Sequence, residues 1–254
     1  MPEFIASLDN GGLTIAIAAV VIGGIVRGFA GFGAGMIFMP VASALIDPRV
    51  AAASFLVVDS LITLPIVARS FRICQWRTVI PAAIGAALFV PLGAYALAVA
   101  DILVLRWVIS GIVLGLCALL ATGWRYHGVP TVPVSLGVGA SAGFLGGLSQ
   151  ISGPPVVAFW LSGPDNPAII RANLMVFFAL ASIMTFVAYV TGGFFTGDVA
   201  RLLLFAAPAY AVALFIGARG FGRASPRLYR SVAYGLIALA AITSLPALDG
   251  LLRR

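Results

Sequence analysis

Apolar residues run along this chain in six stretches separated by short polar segments: Ala51–Ala68, Thr78–Val99, Val104–Trp124, Ile170–Thr191, Val199–Gly217 and Tyr229–Leu245. Each is close to the roughly 20 apolar residues that an α-helix needs to cross a bilayer, so each predicts one transmembrane helix. Two further regions do not fit a single span. Leu13–Ile46 is too long for one, and Val134–Ser162 is interrupted by GFLGGLSQISGPP at Gly143–Pro155. The first region holds a similar motif, GFAGFGAGMIFMP, at Gly28–Pro40. Glycine and proline weaken a helix, so each region reads as two short helical pieces joined at its motif.

The two halves of the chain align. Gly28, Phe29, Gly31 and Pro40 match Gly143, Phe144, Gly146 and Pro155 at an offset of 115 residues. Beyond a few extra residues around Gly163–Pro167, Arg77, Gly93, Arg106 and Gly111 match Arg201, Gly217, Arg230 and Gly235 at an offset of 124. The chain therefore reads as a duplication: residues 1–124 as a first membrane repeat, 125–133 as a linker, and 134–254 as a second repeat of one integral membrane domain. The expected fold is an all-α polytopic membrane protein. Each repeat is one Gly/Pro-broken hairpin plus three transmembrane helices.

Composition supports the membrane assignment. Of 254 residues, 62% are hydrophobic and 9% charged, against roughly 25% charged in a soluble domain. The net charge of +7 comes from 15 basic residues, all arginine. They flank apolar runs, as snorkelling and the positive-inside bias would place them, and this argues against a nucleic-acid partner. MPEFIASLDNGG at the start carries acids where a cleaved signal peptide carries bases, so no cleavage is expected. Cys74 and Cys117 form neither a metal spacing nor a CxxC pair, and no metal or other cofactor is expected. His127 lies in the linker, and Trp76, Trp107, Trp124 and Trp160 fall near span ends, as interfacial belts require.

Charge also orients the halves. RSFRICQWR (Arg69–Arg77) carries three arginines and should be cytoplasmic, whereas its counterpart TGGFFTGD (Thr191–Asp198) carries none and should face outward. The next pair reverses: AVADIL (Ala98–Leu103) lacks a base, and ARGFGRASPRLYR (Ala218–Arg230) has four. Matching loops on opposite sides make the repeats inverted. The first hairpin then opens to the outside and the second to the cytoplasm.

Inverted repeats with paired, interrupted apolar segments point to a secondary-transporter binding site. Backbone freed by a break must be satisfied by protein or a wet cavity, and the N-terminus of a second half-helix is suited to an anion. The alternative use of such glycines is tight helix packing. GFAGFGAGMIFMP, GFLGGLSQISGPPVVAFWL and the following IIRANLMVFF resemble the TauE/SafE family of sulfite and organosulfur transporters over nearly the whole chain. The resemblance implies a carrier in the bacterial inner membrane for small anions such as sulfite or a C2 sulfonate. Where that family commonly shows a Gly-Gly-Gly run, this chain has Gly33-Ala34-Gly35 in the first motif and the more polar Ser149-Gln150-Ile151-Ser152-Gly153 in the second.

Polar groups at membrane depth are costly, so each is a functional candidate. Arg27 precedes the first motif; its guanidinium is suited to clamp a sulfonate, or it forms a structural ion pair. Asp59, in the middle of Ala51–Ala68, is either a carrier of a coupling proton or a counter-charge for Arg27. Gly31, Gly33, Gly35, Gly146 and Gly153 let the tips and a ligand approach closely, and Ser149, Gln150 and Ser152 line the second tip and can donate hydrogen bonds without adding charge. Arg171 either guides an anion or snorkels, and Asn173, two residues deeper, is expected to meet the tip loop. The absence of HExxH, of a second histidine and of paired aspartates at depth argues against an intramembrane enzyme. No ATP-binding motif is present, so any drive comes from an ion gradient or from the substrate's own. An anion channel, or a carrier of another small organic anion, stands as the alternative; a homodimer is left open.

Overall fold

The computed structural model describes residues 10–123, 126, 130–160, 166–220 and 226–249, with the side chains of 10–13, 167 and 220–231 outside that set. His127, Trp124, residues 161–165 and the chain's final LLRR lie outside the described residues. Among the described residues every regular element is helical: α1 (Asn10–Ala30), α2 (Ala34–Leu45), α3 (Pro48–Ser70), α4 (Trp76–Val99), α5 (Ile102–Ala121), α6 (Val132–Ser149), α7 (Gly153–Trp160), α8 (Pro167–Thr191), α9 (Gly197–Gly220) and α10 (Pro226–Thr243), followed by a 3-10 turn at Pro246–Leu248. The protein is an all-α polytopic membrane protein. Six of these helices, α3, α4, α5, α6, α8 and α9, are long and apolar enough to cross a bilayer.

Each of the six expected spans contains one helix, and each expected hairpin is a pair, α1 with α2 and α6 with α7. The pieces of a pair are unequal. The first arms have 21 and 18 residues, but α2 has 12 and α7 has 8. At ~1.5 Å per residue, neither second arm matches a hydrocarbon core about 30 Å thick.

Local chemistry sets several helix starts. Asp47 precedes Pro48, and its Oδ1 accepts from the Arg49 N–H at 2.8 Å. Asn166 precedes Pro167, and its Oδ1 accepts from the Ala168 N–H at 3.0 Å. A capping side chain followed by proline, whose missing N–H is not needed there, is a strong helix start. Asp101 caps α5 without a following proline, accepting from the Leu103 N–H at 2.8 Å.

The chain divides into two compact units, and each draws on both halves of the sequence. One unit holds residues 1–58, 100–121 and 195–254; there α1 lies along α9, and α2 rests on α1, α5 and α10. Its C-terminal turn is tied to α5 by Arg106, whose Nη1 and Nη2 each donate to an Asp249 carboxylate oxygen at 2.7 Å. The other unit holds residues 59–99 and 122–194; there α6 lies along α4, α8 packs on α4, and α7 touches α6 and α8.

Backbone meets backbone in both close-packed pairs. A Cβ on Gly28 of α1 would run into the carbonyl oxygen of Leu214 on α9, and one on Gly217 into that of Ile25. In the other unit a Cβ on Gly147 of α6 would run into the carbonyl oxygen of Val90 on α4, and one on Gly93 into that of Phe144. These contacts correspond residue for residue, with α4 and α9 offset by 124 and α1 and α6 offset by 119. The same 119 relates the helix ends Ala30 and Ser149, the starts Ala34 and Gly153, and the caps Asp47 and Asn166. The first-arm offset of 115 expected from the sequence is thus one helical turn short. Glycines four residues apart, at 24 and 28 and at 139, 143 and 147, match almost as well after a one-turn slip.

Candidate functional site

The first break is built from glycine. Helix α1 ends at Ala30, Gly31 turns left-handed with φ of 81°, and Gly33, the N-cap of α2, does so with φ of 98°. Among the described residues no side chain caps α2, so its first N–H groups, at buried Ala34 and Gly35, lie at the helix start with a partial positive charge of ~0.5 e. Arg27, one turn before the break, is buried. Its Nη1 donates to the Gly31 carbonyl oxygen at 3.3 Å, while the Gly31 N–H donates to the Arg27 carbonyl oxygen at 2.7 Å. A guanidinium and open backbone donors therefore gather at one tip, which suits an oxyanion.

The second break has different chemistry. Gln150 is left-handed with φ of 58°, the one non-glycine residue with positive φ among the described residues. Its N–H donates to the Gly146 carbonyl oxygen at 2.9 Å, and its Nε2 donates to the same oxygen at 3.2 Å and to the Tyr189 hydroxyl at 3.2 Å. Tyr189 donates in turn to the Gly147 carbonyl oxygen at 2.8 Å. Ser152 lies over Gly146, where a Cβ would meet the serine's own Cβ at 3.3 Å. Ser149 is fully buried, its hydroxyl donating to the Leu145 carbonyl oxygen at 3.0 Å. Gly153 opens α7, but the next two residues are Pro154 and Pro155, which carry no N–H. This helix start therefore presents far fewer donors than that of α2.

Asp59 is half-buried on α3, in the unit that does not contain Arg27, and its main-chain oxygen accepts from the Thr63 hydroxyl at 2.6 Å. Arg171 is half-buried in the first turns of α8. Asn173 is fully buried, but its Oδ1 accepts from the Gln75 N–H at 2.7 Å and so fastens the arginine-rich loop before α4 rather than the tip loop; among the described residues its Nδ2 has no hydrogen-bond partner. Nearby, Trp160 Nε1 donates to the Thr78 hydroxyl at 3.3 Å. Cys74, in the same loop, is buried, and burial raises its thiol pKa, with a backbone hydrogen bond opposing.

Tyr189 is the partner of the second break that sequence reasoning missed. It is fully buried, and its ring packs against Phe194 with centroids 4.9 Å apart. A hydroxyl inside an apolar span was the available signal, because such a group must find a partner at depth.

The family described as "Sulfite exporter TauE/SafE" matches residues 15–244. A protein of Cupriavidus necator, the "Probable sulfite/organosulfonate exporter TauE", is 32% identical over 236 residues, covering 86% of this chain and 88% of its own. No solved structure matches.

Proposed function

The chain belongs to the sulfite exporter TauE/SafE family, a family of membrane transporters and not of enzymes, and from that premise we propose that it is a secondary carrier of small sulfur oxyanions, sulfite or C2 sulfonates, in the bacterial inner membrane. The observation that carries the site is the first tip. Buried Arg27 reaches Gly31 beside the uncapped start of α2, and an anion leaving water needs such a pairing of cation and oriented N–H groups to offset its desolvation.

In this proposal the two repeats are inverted and each broken tip contributes to substrate binding. Arg27, Gly31, Gly33 and Gly35 host the charge at the first tip; Gly146, Ser149, Gln150, Ser152 and Gly153 supply the polar groups of the second; Arg171 and Asn173 stand near the cytoplasmic end of α8. Asp59 carries the coupling proton or balances Arg27. Support comes from the matched breaks, Gly31 and Gln150, in helix pairs that pack alike.

Uptake of labelled sulfite into liposomes holding the purified protein tests this function. Saturable flux with counterflow is expected, and flux that rises linearly with concentration would assign a channel instead.

A further inference from the structure

We propose that Tyr189 holds Gln150 as a hydrogen-bond acceptor only, so that the second tip selects anions bringing a donor of their own. This rests on the reading of that tip as part of the substrate site.

The assignment follows from which atoms can donate. The Gly146 carbonyl oxygen can only accept, so the amide atom 3.2 Å from it is Nε2 and not Oε1. The Gly147 carbonyl oxygen can only accept as well, so the Tyr189 hydroxyl, 2.8 Å away, spends its single hydrogen there. Toward Gln150 that hydroxyl is therefore an acceptor, and it takes the second Nε2 hydrogen at 3.2 Å. Both amide hydrogens are consumed. What the half-buried side chain still offers is Oε1, which none of these bonds uses.

The backbone says the side chain is wanted. Gln150 occupies a left-handed turn where glycine is favoured, and the corresponding residue of the first break, Gly31, is glycine. Strain kept at such a place accompanies function.

An acceptor facing a fully ionised sulfonate repels it. The same acceptor binds a sulfur oxyanion that carries a hydroxyl or ammonium group nearby, or the acidic hydrogen of hydrogensulfite.

The test is competition against labelled sulfite counterflow in liposomes, using 2-hydroxyethanesulfonate and ethanesulfonate, which differ by one hydroxyl. The wild type should be inhibited about tenfold more strongly by the hydroxylated competitor, the factor one lost hydrogen bond commands. Tyr189→Phe releases an Nε2 hydrogen and should narrow that ratio to about threefold or less. Gln150→Gly keeps the backbone turn, removes the acceptor and should bring the ratio to about one. A merely structural Tyr189 would weaken both competitors together and leave the ratio unchanged, which would overturn the proposal. Equal inhibition of the wild type, with saturable sulfite flux, would overturn it while leaving the sulfur-oxyanion function standing. Absence of saturable sulfite flux would overturn both.

Discussion

Gln150 takes up, with φ of 58°, the left-handed backbone that Gly31 takes up with φ of 81°, each as the first residue after the long arm of a broken hairpin. The geometry is free for glycine and costs a side chain of this kind about 1–2 kcal/mol. At Gln150 the two Nε2 hydrogen bonds offset that strain.

Stability should therefore order the variants of Gln150 in an unusual way. Gln150→Ala keeps the strain and loses the bonds, a destabilisation of roughly 1–3 kcal/mol. Gln150→Gly loses the same bonds but sheds the strain, so it should melt above the alanine variant by the equivalent of about 1 kcal/mol. Thermal unfolding in detergent, followed by circular dichroism, reads the order. An alanine variant more stable than the glycine one would contradict this account of the turn.

The close-packed pairs make a second prediction. Gly217→Val and Gly93→Val put methyl groups where a neighbouring carbonyl oxygen sits, and backbone cannot step aside as a side chain can. Overpacking of this kind costs about 1–3 kcal/mol or more. Gly111→Ala and Gly235→Ala meet only open space and should stay within about 0.5 kcal/mol of the parent. Unfolding midpoints of the four variants decide it, and equal losses in both groups would remove the packing argument.

Much of this fold was legible because a bilayer leaves so few choices. Apolar runs of span length such as Thr78–Val99 can only be helices, and glycine and proline marked both breaks. The first-arm register was not legible, since glycines spaced by four look alike after a slip of one turn. Packing partners were not legible either. Asn173 gives its Oδ1 to Gln75, 98 residues away, and nothing local to IIRANL announces that. Gln150 stood out as polar, but that its amide hydrogens are consumed depends on Tyr189, 39 residues on.

Orientation is open to direct labelling. With Cys74 and Cys117 replaced, Phe71→Cys should react with an impermeant maleimide from the cytoplasmic side and Phe195→Cys from the outside. Reaction of both from one side would remove the inversion.

Native Cys74 makes a pH prediction. Its thiol pKa is raised by burial, and the thiolate is the reactive form, so at neutral pH it holds less thiolate than a free cysteine. In a Cys117→Ser background, alkylation of Cys74 should be slower than that of an exposed thiol at pH 7. It should still be rising at a pH where the exposed thiol has levelled off. A rate that levels at lower pH than the free thiol would reverse the sign and contradict the burial.

If Arg27 and the start of α2 hold the anion, binding to purified Arg27 variants shows it most directly. Titration calorimetry with sulfite on folded Arg27→Ala should show no saturable binding. Arg27→Lys, which keeps the charge without the bidentate fork, should bind about tenfold or more weakly than the parent. Arg27→Ala combined with Asp59→Ala should fold and still fail to bind. Recovery of wild-type affinity in that double variant would make Arg27 a counter-charge to Asp59 and would contradict the anion site described here.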